Sequence, residues 1–227
     1  MMKCLVRNKL LNIYDLGIMD YEKAYETQLY IFGKRQKNEI NDTLIILEHP
    51  SVITLGTGAD SLNIIASKEE LNSKKVKVIN TNRGGDVTFH NPGQIVGYFI
   101  IDLKNHGQDV KLLVWKIENF IIKMLEKEYG IDASRNNGFR GVWVDNAKIA
   151  ALGISIKKWI TMHGFAINGN NDLDEFGCII PCGIRDKKIT SIKEIMRRNI
   201  NKGILKKHVA TYFANEFGYR ESIFRQV

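Results

Sequence analysis

The sequence predicts an α+β fold in which helices flank a mixed, mostly antiparallel sheet. Apolar, β-branched runs that predict strands follow one another directly, while the predicted helices gather near the start, the middle and the end of the chain. The regular strand–helix alternation of a doubly wound nucleotide-binding domain is missing. With 44% hydrophobic residues among 227, the chain can build one large core, so we expect a single domain over residues 1–227.

The first half of the chain is expected to supply one helix and several strands. Residues 21–37 lack proline and follow Asp20, a residue typical of an N-cap, which predicts a helix. Short β-branched or alternating runs predict strands at 43–48, 51–55, 76–80 and 95–103.

The second half carries the clearest periodicity. Residues 110–129 have a helical stripe of apolar side chains, and Gly130 stands where that helix is expected to end. Successive strands predicted at 141–144, 148–156 and 160–168, with turns near Asp145-Asn146 and Lys157-Lys158, indicate an antiparallel meander. Helices are expected at 192–198 and 204–217, and no repeat or linker divides the chain.

Charge and cysteine content narrow the class of protein. Lys and Arg number 33 against 25 Asp and Glu, a net charge of +8, which predicts attraction to an anionic partner. The basic residues concentrate between Lys187 and His208, where a solvated helix face is a simpler explanation than nucleic-acid binding, and an acidic protein partner is also compatible. The sequence has only three cysteines, which favours the reducing environment of the cytoplasm. It has no apolar stretch long enough for a membrane span and no apolar run after Lys3, so we expect neither membrane insertion nor export.

The segment from Arg83 to Gln94 (RGGDVTFHNPGQ) is the first that can carry chemistry. Its paired glycines permit close approach of the backbone to a ligand, and Pro92-Gly93 predicts a tight turn before a buried strand. We therefore expect a ligand-facing loop, although ordinary hairpins share this composition. For His90 taken alone a structural role is the simpler interpretation.

Lys148 and Cys182 are the candidate catalytic pair. Lys148 opens an apolar strand of small residues, where desolvation would lower the pKa of its ammonium group. For a lone lysine, a packed stem with a solvated head is the plainer interpretation. Cys182 lies between Pro181 and Gly183 on a constrained turn, and a nucleophilic thiol needs a nearby cation or base, which Lys148 or His163 could provide.

A zinc site is the competing interpretation of the same region. Cys178 and Cys182 could join His90 and His163 as ligands, but the chain lacks a second Cys/His pair at finger-like separation. We therefore favour catalysis, expect no bound metal, and expect a structural role for Cys178.

Together these segments resemble the lipoyl(octanoyl) transferase family of lipoate biosynthesis. The resemblance covers the chain from about Thr54 to Ile192 and rests on several motifs in the right order and at fitting spacing. They are Arg83-Gly84-Gly85-x-x-Thr88-x-His90-x-Pro92-Gly93-Gln94, Gly141-Val142-Trp143-Val144, Lys148-Ile149-Ala150-Ala151-Leu152-Gly153, Thr161-x-His163-Gly164-Phe165-Ala166-x-Asn168 and Pro181-Cys182-Gly183-Ile184.

The resemblance implies the fold of biotin and lipoate protein ligases, of the class II aminoacyl-tRNA synthetase and biotin synthetase type, and a two-step transfer without a cofactor. Octanoyl-acyl-carrier protein would acylate Cys182 as a thioester, and a lysine of a lipoyl domain, in a 2-oxoacid dehydrogenase or the glycine cleavage H protein, would then take the acyl group. Lys148 matches the lysine credited with lowering the pKa of the thiol. The matching acyl-contacting residues are Arg83, Gly84, Gly85, Asp86, Val87, Thr88, Phe89, His90, Ala151, Leu152, Gly153, His163, Gly164, Phe165 and Ala166.

Two alternatives stay open from the sequence. An ATP-dependent lipoate or biotin ligase shares the expected fold but activates a free acid as an adenylate and needs no nucleophilic cysteine, so the Lys148 and Cys182 pair favours transfer. A non-catalytic acyl- or nucleic-acid-binding protein that uses the basic surface is the second alternative. We expect neither a nucleic-acid nor a membrane partner.

Overall fold

The computed structural model of the chain describes residues 10–181 and 188–226. The α-helices in this part are α1 (Tyr21–Gln36), α2 (Lys68–Ser73), α3 (Val110–Tyr129), α4 (Ile192–Met196) and α5 (Lys202–Phe217). The strands are β1 (Leu10–Ile18), β2 (Asp42–Glu48), β3 (Val52–Leu55), β4 (Lys77–Asn80), β5 (Val87–His90), β6 (Gln94–Ile100), β7 (Ser134–Asn136), β8 (Phe139–Val144), β9 (Ala147–Lys157), β10 (Ile160–Asn168), β11 (Lys188–Ile189) and β12 (Glu221–Gln226).

The main sheet is mixed and mostly antiparallel, as the sequence predicts. Its strand order is β12-β1-β2-β6-β10-β9-β8-β7, and β11 pairs with β9 outside this path. The pairs β1–β12, β1–β2 and β9–β11 are parallel, and the run from β2 through β6, β10, β9 and β8 to β7 is antiparallel. The predicted meander is the β8–β9–β10 part of this run.

A second sheet of three strands, in the order β4-β3-β5, lies apart from the main one. The sequence pattern predicts a single sheet and leaves residues 83–94 as a loop, whereas residues 87–90 form β5 and pair with β3. The chain leaves the main sheet after Glu48 at His49-Pro50, where proline has no N–H to continue a ladder. A four-residue strand is too short to show a clear hydrophobic periodicity in the sequence, so the pairing of these strands depends on tertiary contacts.

Packing on the two faces of the main sheet follows strand alternation. Leu44 and Ile46 of β2 face a first core that α3 and α5 cover, while Ile45 and Leu47 face a second core that α1 covers. A third core lies beneath the small sheet and includes Cys178, which is buried as its predicted structural role requires.

Helix α3 has the bounds that its periodicity predicts. Asp109 is the N-cap and accepts hydrogen bonds from the N–H groups of Lys111 and Leu112, and Gly130 ends the helix in the left-handed conformation at φ +65°. Helix α1 begins after Asp20 as predicted, but the Asp20 carboxylate does not cap it and instead pairs with Lys77 at 3.1 Å.

Strand β6 ends at Ile100, three residues before the predicted end. Asp102 caps a 3₁₀ turn at Leu103–Asn105 by accepting the N–H of Lys104, which takes the chain out of the sheet. The predicted helix 192–198 is also shorter, because Arg197 adopts a left-handed conformation at φ +53°.

The basic C-terminal segment is only partly the solvated face that the sequence suggests. Lys206 is buried and its Nζ lies 2.8 Å from Asp15 Oδ1, and Lys202 Nζ lies 2.9 Å from Glu48 Oε2. These ion pairs hold α5 against β1 and β2. None of the described helices combines the length and apolar character that a membrane span requires.

Candidate active site

A cavity lies where the small sheet, the loop that precedes β5 and the β9–β10 pair meet. Its wall is largely apolar, with small side chains at Ala151 and Ala166 and larger ones at Leu152 and Phe165. The lining residues are Tyr21, Arg83, Gly85, Asp86, Val87, Thr88, His90, Val96, Tyr98, Ala151, Leu152, Gly153, His163, Gly164, Phe165 and Ala166.

The structure brings the predicted acyl-contacting residues to this cavity with two exceptions. Gly84 lies on its outer side, where its N–H donates to the carbonyl of Ile154 at 2.9 Å and it lines a neighbouring cleft. Phe89 is fully buried in the third core, with its ring 5.6 Å from that of Phe176. We expect both to shape the loop rather than to touch a ligand.

Sequence reasoning missed Tyr21, Val96 and Tyr98 as lining residues. Tyr21 begins α1, and Tyr98 lies within the apolar run of β6, so nothing in the local pattern distinguishes them from core residues. The one available signal is a phenol in an otherwise apolar buried strand, because a buried Tyr needs a partner for its hydroxyl.

Arg83 holds the loop rather than projecting into the cavity as a free cation. Its Nη2 donates to the Thr54 carbonyl at 2.6 Å and to the Asp86 carbonyl at 2.7 Å, and its Nε donates to Thr54 Oγ1 at 3.1 Å. The side chain is buried. These bonds fix the loop against β3, so the backbone of Gly85 and Asp86 forms a rigid edge of the cavity.

Lys148 lies on β9 in a packed setting. It is 9% exposed, and its Nζ lies 4.9 Å from the centre of the Trp143 ring, within range of a cation–π contact. Gly141, at φ +123°, leaves room for its stem, since a Cβ there would lie 3.4 Å from Lys148 Cε and 2.6 Å from the Ala150 carbonyl oxygen. The lysine is therefore held in place and is not a mobile surface side chain.

A smaller cavity adjoins the main one and connects it to Lys148. Ala151 and Ala166, which pair across β9 and β10, line both cavities. Lys148 and Pro181 line the smaller one. Cys182, the predicted nucleophile, follows Pro181 but lies outside the described residues.

A chain of hydrogen bonds runs from the cavity wall to the strand of Lys148. His90 Nδ1 donates to Gln94 Oε1 at 2.7 Å, Gln94 Nε2 donates to Asn168 Oδ1 at 2.9 Å, and Asn168 Nδ2 donates to the Thr190 carbonyl at 3.0 Å. The Thr190 N–H then donates to the Lys148 carbonyl at 3.0 Å. The loop, β10 and β9 are thereby fixed relative to one another.

Beside the inner part of the cavity lies what we term the polar cluster, namely Tyr21, His49, His90, Tyr98 and His163. All of its members except His49 line the cavity, and His49 packs against His90 and Tyr98. His49 Nδ1 donates to the Met19 carbonyl at 2.6 Å, so its Nε2 accepts the Tyr98 hydroxyl at 2.7 Å. Neighbouring rings of the cluster stack or meet edge to face.

The polar cluster is uncharged at neutral pH. Burial lowers the pKa of His49 to about 4, burial and the neighbouring His49 lower that of His90 to about 3, and burial and Arg83 lower that of His163 to about 4. Burial raises the pKa of Tyr21 to about 12. Apart from Arg83 and Asp86, whose charged groups bond to the protein, the cavity has apolar or neutral walls, which suit an uncharged aliphatic chain.

The zinc hypothesis gains no support from the described residues. Within residues 10–181 and 188–226, no group of three or more His, Cys, Asp or Glu side chains could hold a metal ion. Cys178 lies in the third core, away from the polar cluster, and Cys182 is outside this part of the chain.

Comparison with known proteins identifies the family of the chain. The model of the lipoyl protein ligase A/B catalytic domain matches residues 20–214. An octanoyltransferase from Alkaliphilus metalliredigens is 44% identical over 209 residues, which cover 92% of this chain and 96% of that protein.

Solved structures support the predicted fold. A bipartite lipoate protein ligase from Thermoplasma acidophilum gives a TM-score of 0.74 at 11% identity, covering 96% of this chain and 87% of that one. Biotin protein ligase from Aquifex aeolicus, with biotin and ATP, gives 0.54 at 14% identity, covering 91% and 70%. The prediction of a biotin and lipoate protein ligase-like fold is confirmed, and the chain belongs to the lipoyl protein ligase A/B catalytic domain family, among its octanoyltransferases.

Proposed function

We propose that this chain transfers an octanoyl group from octanoyl-acyl-carrier protein, through a thioester on Cys182, to a specific lysine of a lipoyl domain in lipoate biosynthesis. The observation that carries the proposal is the junction of two cavities. The mostly apolar cavity meets, at Ala151 and Ala166, a smaller one that Lys148 and Pro181 line. An acyl chain in the first would present its carbonyl end toward Lys148 and Pro181.

The first step exchanges one thioester for another. Cys182 gives its thiol proton to the side-chain amine of Lys148, and the thiolate attacks the carbonyl carbon of the donor. A new C–S bond forms, the bond to the carrier thiol breaks, and that thiolate recovers the proton from Lys148. Because the two thioesters are alike in energy, this step needs no ATP.

The second step forms an amide. The neutral amine of the acceptor lysine attacks the acyl-enzyme carbonyl, the C–N bond forms, and the Cys182 thiolate leaves. Lys148 carries the proton from the new amide nitrogen to that thiolate. Packing of Lys148 on Trp143 and Gly141 supports this role, since it fixes one position for the proton carrier.

The remaining assignments are part of the same proposal. Residues 1–227 would form one octanoyltransferase domain that acts in the cytoplasm without metal or organic cofactor. The acyl-contacting residues would be the lining residues that sequence and cavity share, joined by Tyr21, Val96 and Tyr98. The acceptor would be a lipoyl domain of a 2-oxoacid dehydrogenase or the glycine cleavage H protein.

Intact mass spectrometry tests the proposal directly. Incubation with octanoyl-carrier protein and no ATP is expected to add one octanoyl group to the enzyme, which a lipoyl domain then removes. Cys182→Ala should abolish both events. Cys178→Ala is the matched control, because it removes a thiol from the third core and should retain the adduct.

Each alternative has its own outcome. Labelling that requires ATP and free octanoate, with no adduct on Cys182, would indicate a ligase. Full transfer by Cys182→Ala would exclude the nucleophile assignment. Lys148→Met should slow adduct formation about 10²–10⁴-fold if the lysine handles the proton.

A further inference from the structure

We term the main cavity, which most of the polar cluster and the β9–β10 pair line, the acyl cavity. We propose that His163 sets the length of acyl chain that the enzyme accepts, because its ring closes the inner end of the acyl cavity and separates it from a second cavity. This inference rests on the proposed octanoyl transfer. It assigns to one side chain a property that the family match leaves open.

The backbone of His163 departs from strand geometry. Side chains alternate along β10, so His163 should share a face with Phe165, which packs in the first core. Its φ is +59°, a left-handed value rare for a residue other than glycine, and its ring instead contacts Tyr25 and Tyr98 on the α1 side of the sheet. Such an outlier persists only when its surroundings hold it, and it marks a position with a role.

Three contacts hold the ring in this position. The His163 N–H, which has left the ladder with β6, donates to Gln28 Oε1 at 2.9 Å. The ring Nε2 donates to Asn82 Oδ1 at 2.6 Å, and the ring stacks on Tyr25 with centroids 5.7 Å apart and planes 11° from parallel. His163 is fully buried.

The partners of the ring belong to a different cavity. Tyr25 and Asn82 line a wider outer cavity between α1 and β4, and neither lines the acyl cavity. Tyr21 lines both. The imidazole of His163 therefore stands as a partition, with the acyl cavity on one side and the outer cavity on the other.

The position of this partition matches a chain of medium length. Ala166, at the junction with the Lys148 cavity, and His163 are three residues apart on β10, which corresponds to about 10 Å along the strand. This is close to the length of an extended octanoyl chain. A longer chain would have to displace the ring from Asn82 and Tyr25.

The ring also offers a longer chain a poor surface. Because His163 Nε2 carries the proton that it donates to Asn82 Oδ1, Nδ1 is unprotonated and can only accept a hydrogen bond. This nitrogen is buried and has no hydrogen-bond partner among the described residues. An additional methylene packed against this nitrogen would gain little, since buried polar atoms favour polar neighbours.

The test measures chain-length preference. His163→Gly opens the partition and tolerates the left-handed backbone, while Cys178→Ala shortens a buried side chain that does not line the cavity and serves as the control. Rates of transfer to a lipoyl domain are measured with octanoyl-, dodecanoyl- and tetradecanoyl-carrier protein. We expect the preference for octanoyl over dodecanoyl to fall at least tenfold in His163→Gly and to change less than threefold in Cys178→Ala.

A second variant keeps the test decisive if His163→Gly does not fold. Asn82→Ala removes the anchor of the ring and leaves the backbone of β10 unaltered, and it should shift the preference in the same direction by a smaller factor. Circular dichroism identifies which variants are folded. An unchanged preference in a folded His163→Gly, or in a folded Asn82→Ala if the first does not fold, would overturn the inference.

A binding measurement separates this inference from the proposed function. Calorimetry with free octanoate and dodecanoate, in a Cys182→Ala background, reports the cavity without chemistry. A relative gain for dodecanoate on adding His163→Gly supports the partition even if the unmodified enzyme transfers no octanoyl group. Transfer of octanoyl by the unmodified enzyme with no such gain refutes the partition alone.

Discussion

Gly97 and Gly164 allow the paired strands β6 and β10 to approach closely beside the acyl cavity, and a different obstacle opposes a side chain at each glycine. A Cβ on Gly97 would overlap the ring of Phe165, which is paired with it across the sheet. A Cβ on Gly164 would overlap the carbonyl oxygen of Gly97. The first obstacle is a side chain and the second is backbone, so the two Gly→Ala variants should behave differently.

The magnitudes follow from this difference. Gly97→Ala should lower the free energy of unfolding by about 1–3 kcal/mol, the usual cost of overpacking a core. Adding Phe165→Leu removes the ring and should recover about 1–2 kcal/mol relative to the sum of the single changes. Gly164→Ala should cost more than about 3 kcal/mol, because the ladder itself must move, and Phe165→Leu should not rescue it.

Urea unfolding of the four members of the Gly97 and Phe165 cycle measures the coupling, and the Gly164 series provides the control. Octanoyl transfer gives a second measurement. Since Phe165 lines the cavity, Gly97→Ala should slow transfer, and the double variant should be faster than Gly97→Ala alone. Single changes that add within about 0.5 kcal/mol would refute the steric explanation.

Three further predictions concern charge and burial. The three histidines of the polar cluster are neutral in the folded protein, with pKa values of about 3 to about 4. As the pH falls below about 6.5, these histidines take up protons in the unfolded chain before they do so in the folded protein, so the free energy of unfolding should fall by up to about 1.4 kcal/mol per pH unit for each histidine. Equal urea midpoints at pH 7 and pH 5 would contradict this. The single ammonium group of Arg83→Lys cannot reproduce the guanidinium hydrogen bonds to the carbonyls of Thr54 and Asp86. The variant should lose about 2–4 kcal/mol of unfolding free energy in urea and should transfer octanoyl more slowly, whereas an unchanged urea midpoint would show that these hydrogen bonds are dispensable. Lys206→Met leaves the Asp15 carboxylate buried without its cation and should cost about 3–5 kcal/mol in urea unfolding. Lys202→Met is the milder control in the same assay, because the Lys202 side chain is 42% exposed and Lys206 Nζ still lies 3.9 Å from Glu48 Oε1.

Local signals account for the elements that the sequence predicts correctly. Helix α3 combines an apolar stripe with a capping Asp109 and a left-handed Gly130, so its bounds depend on neighbouring residues alone. The predicted strand 160–168 matches β10, because a run of β-branched and apolar residues between turns is itself the signal. Lys148 could be proposed as a catalytic residue for the same reason, because it lies at the start of a strand that the local sequence predicts.

The sequence by itself determined the α+β class, the central meander, the long helices and the motifs that identify the family, because periodicity, capping and turn chemistry act over a few residues. Only the tertiary structure decided the separate small sheet, since β3 and β5 are short and gain their stability by pairing.

The polar cluster is likewise a product of the fold. Tyr21, His49, Tyr98 and His163 come from four separate elements or loops, and the left-handed backbone that aims His163 toward α1 depends on Gln28 and Asn82, residues distant in sequence. Contacts between residues so far apart leave no local pattern, so the inner end of the acyl cavity is determined by packing, while its motifs are visible in the chain itself.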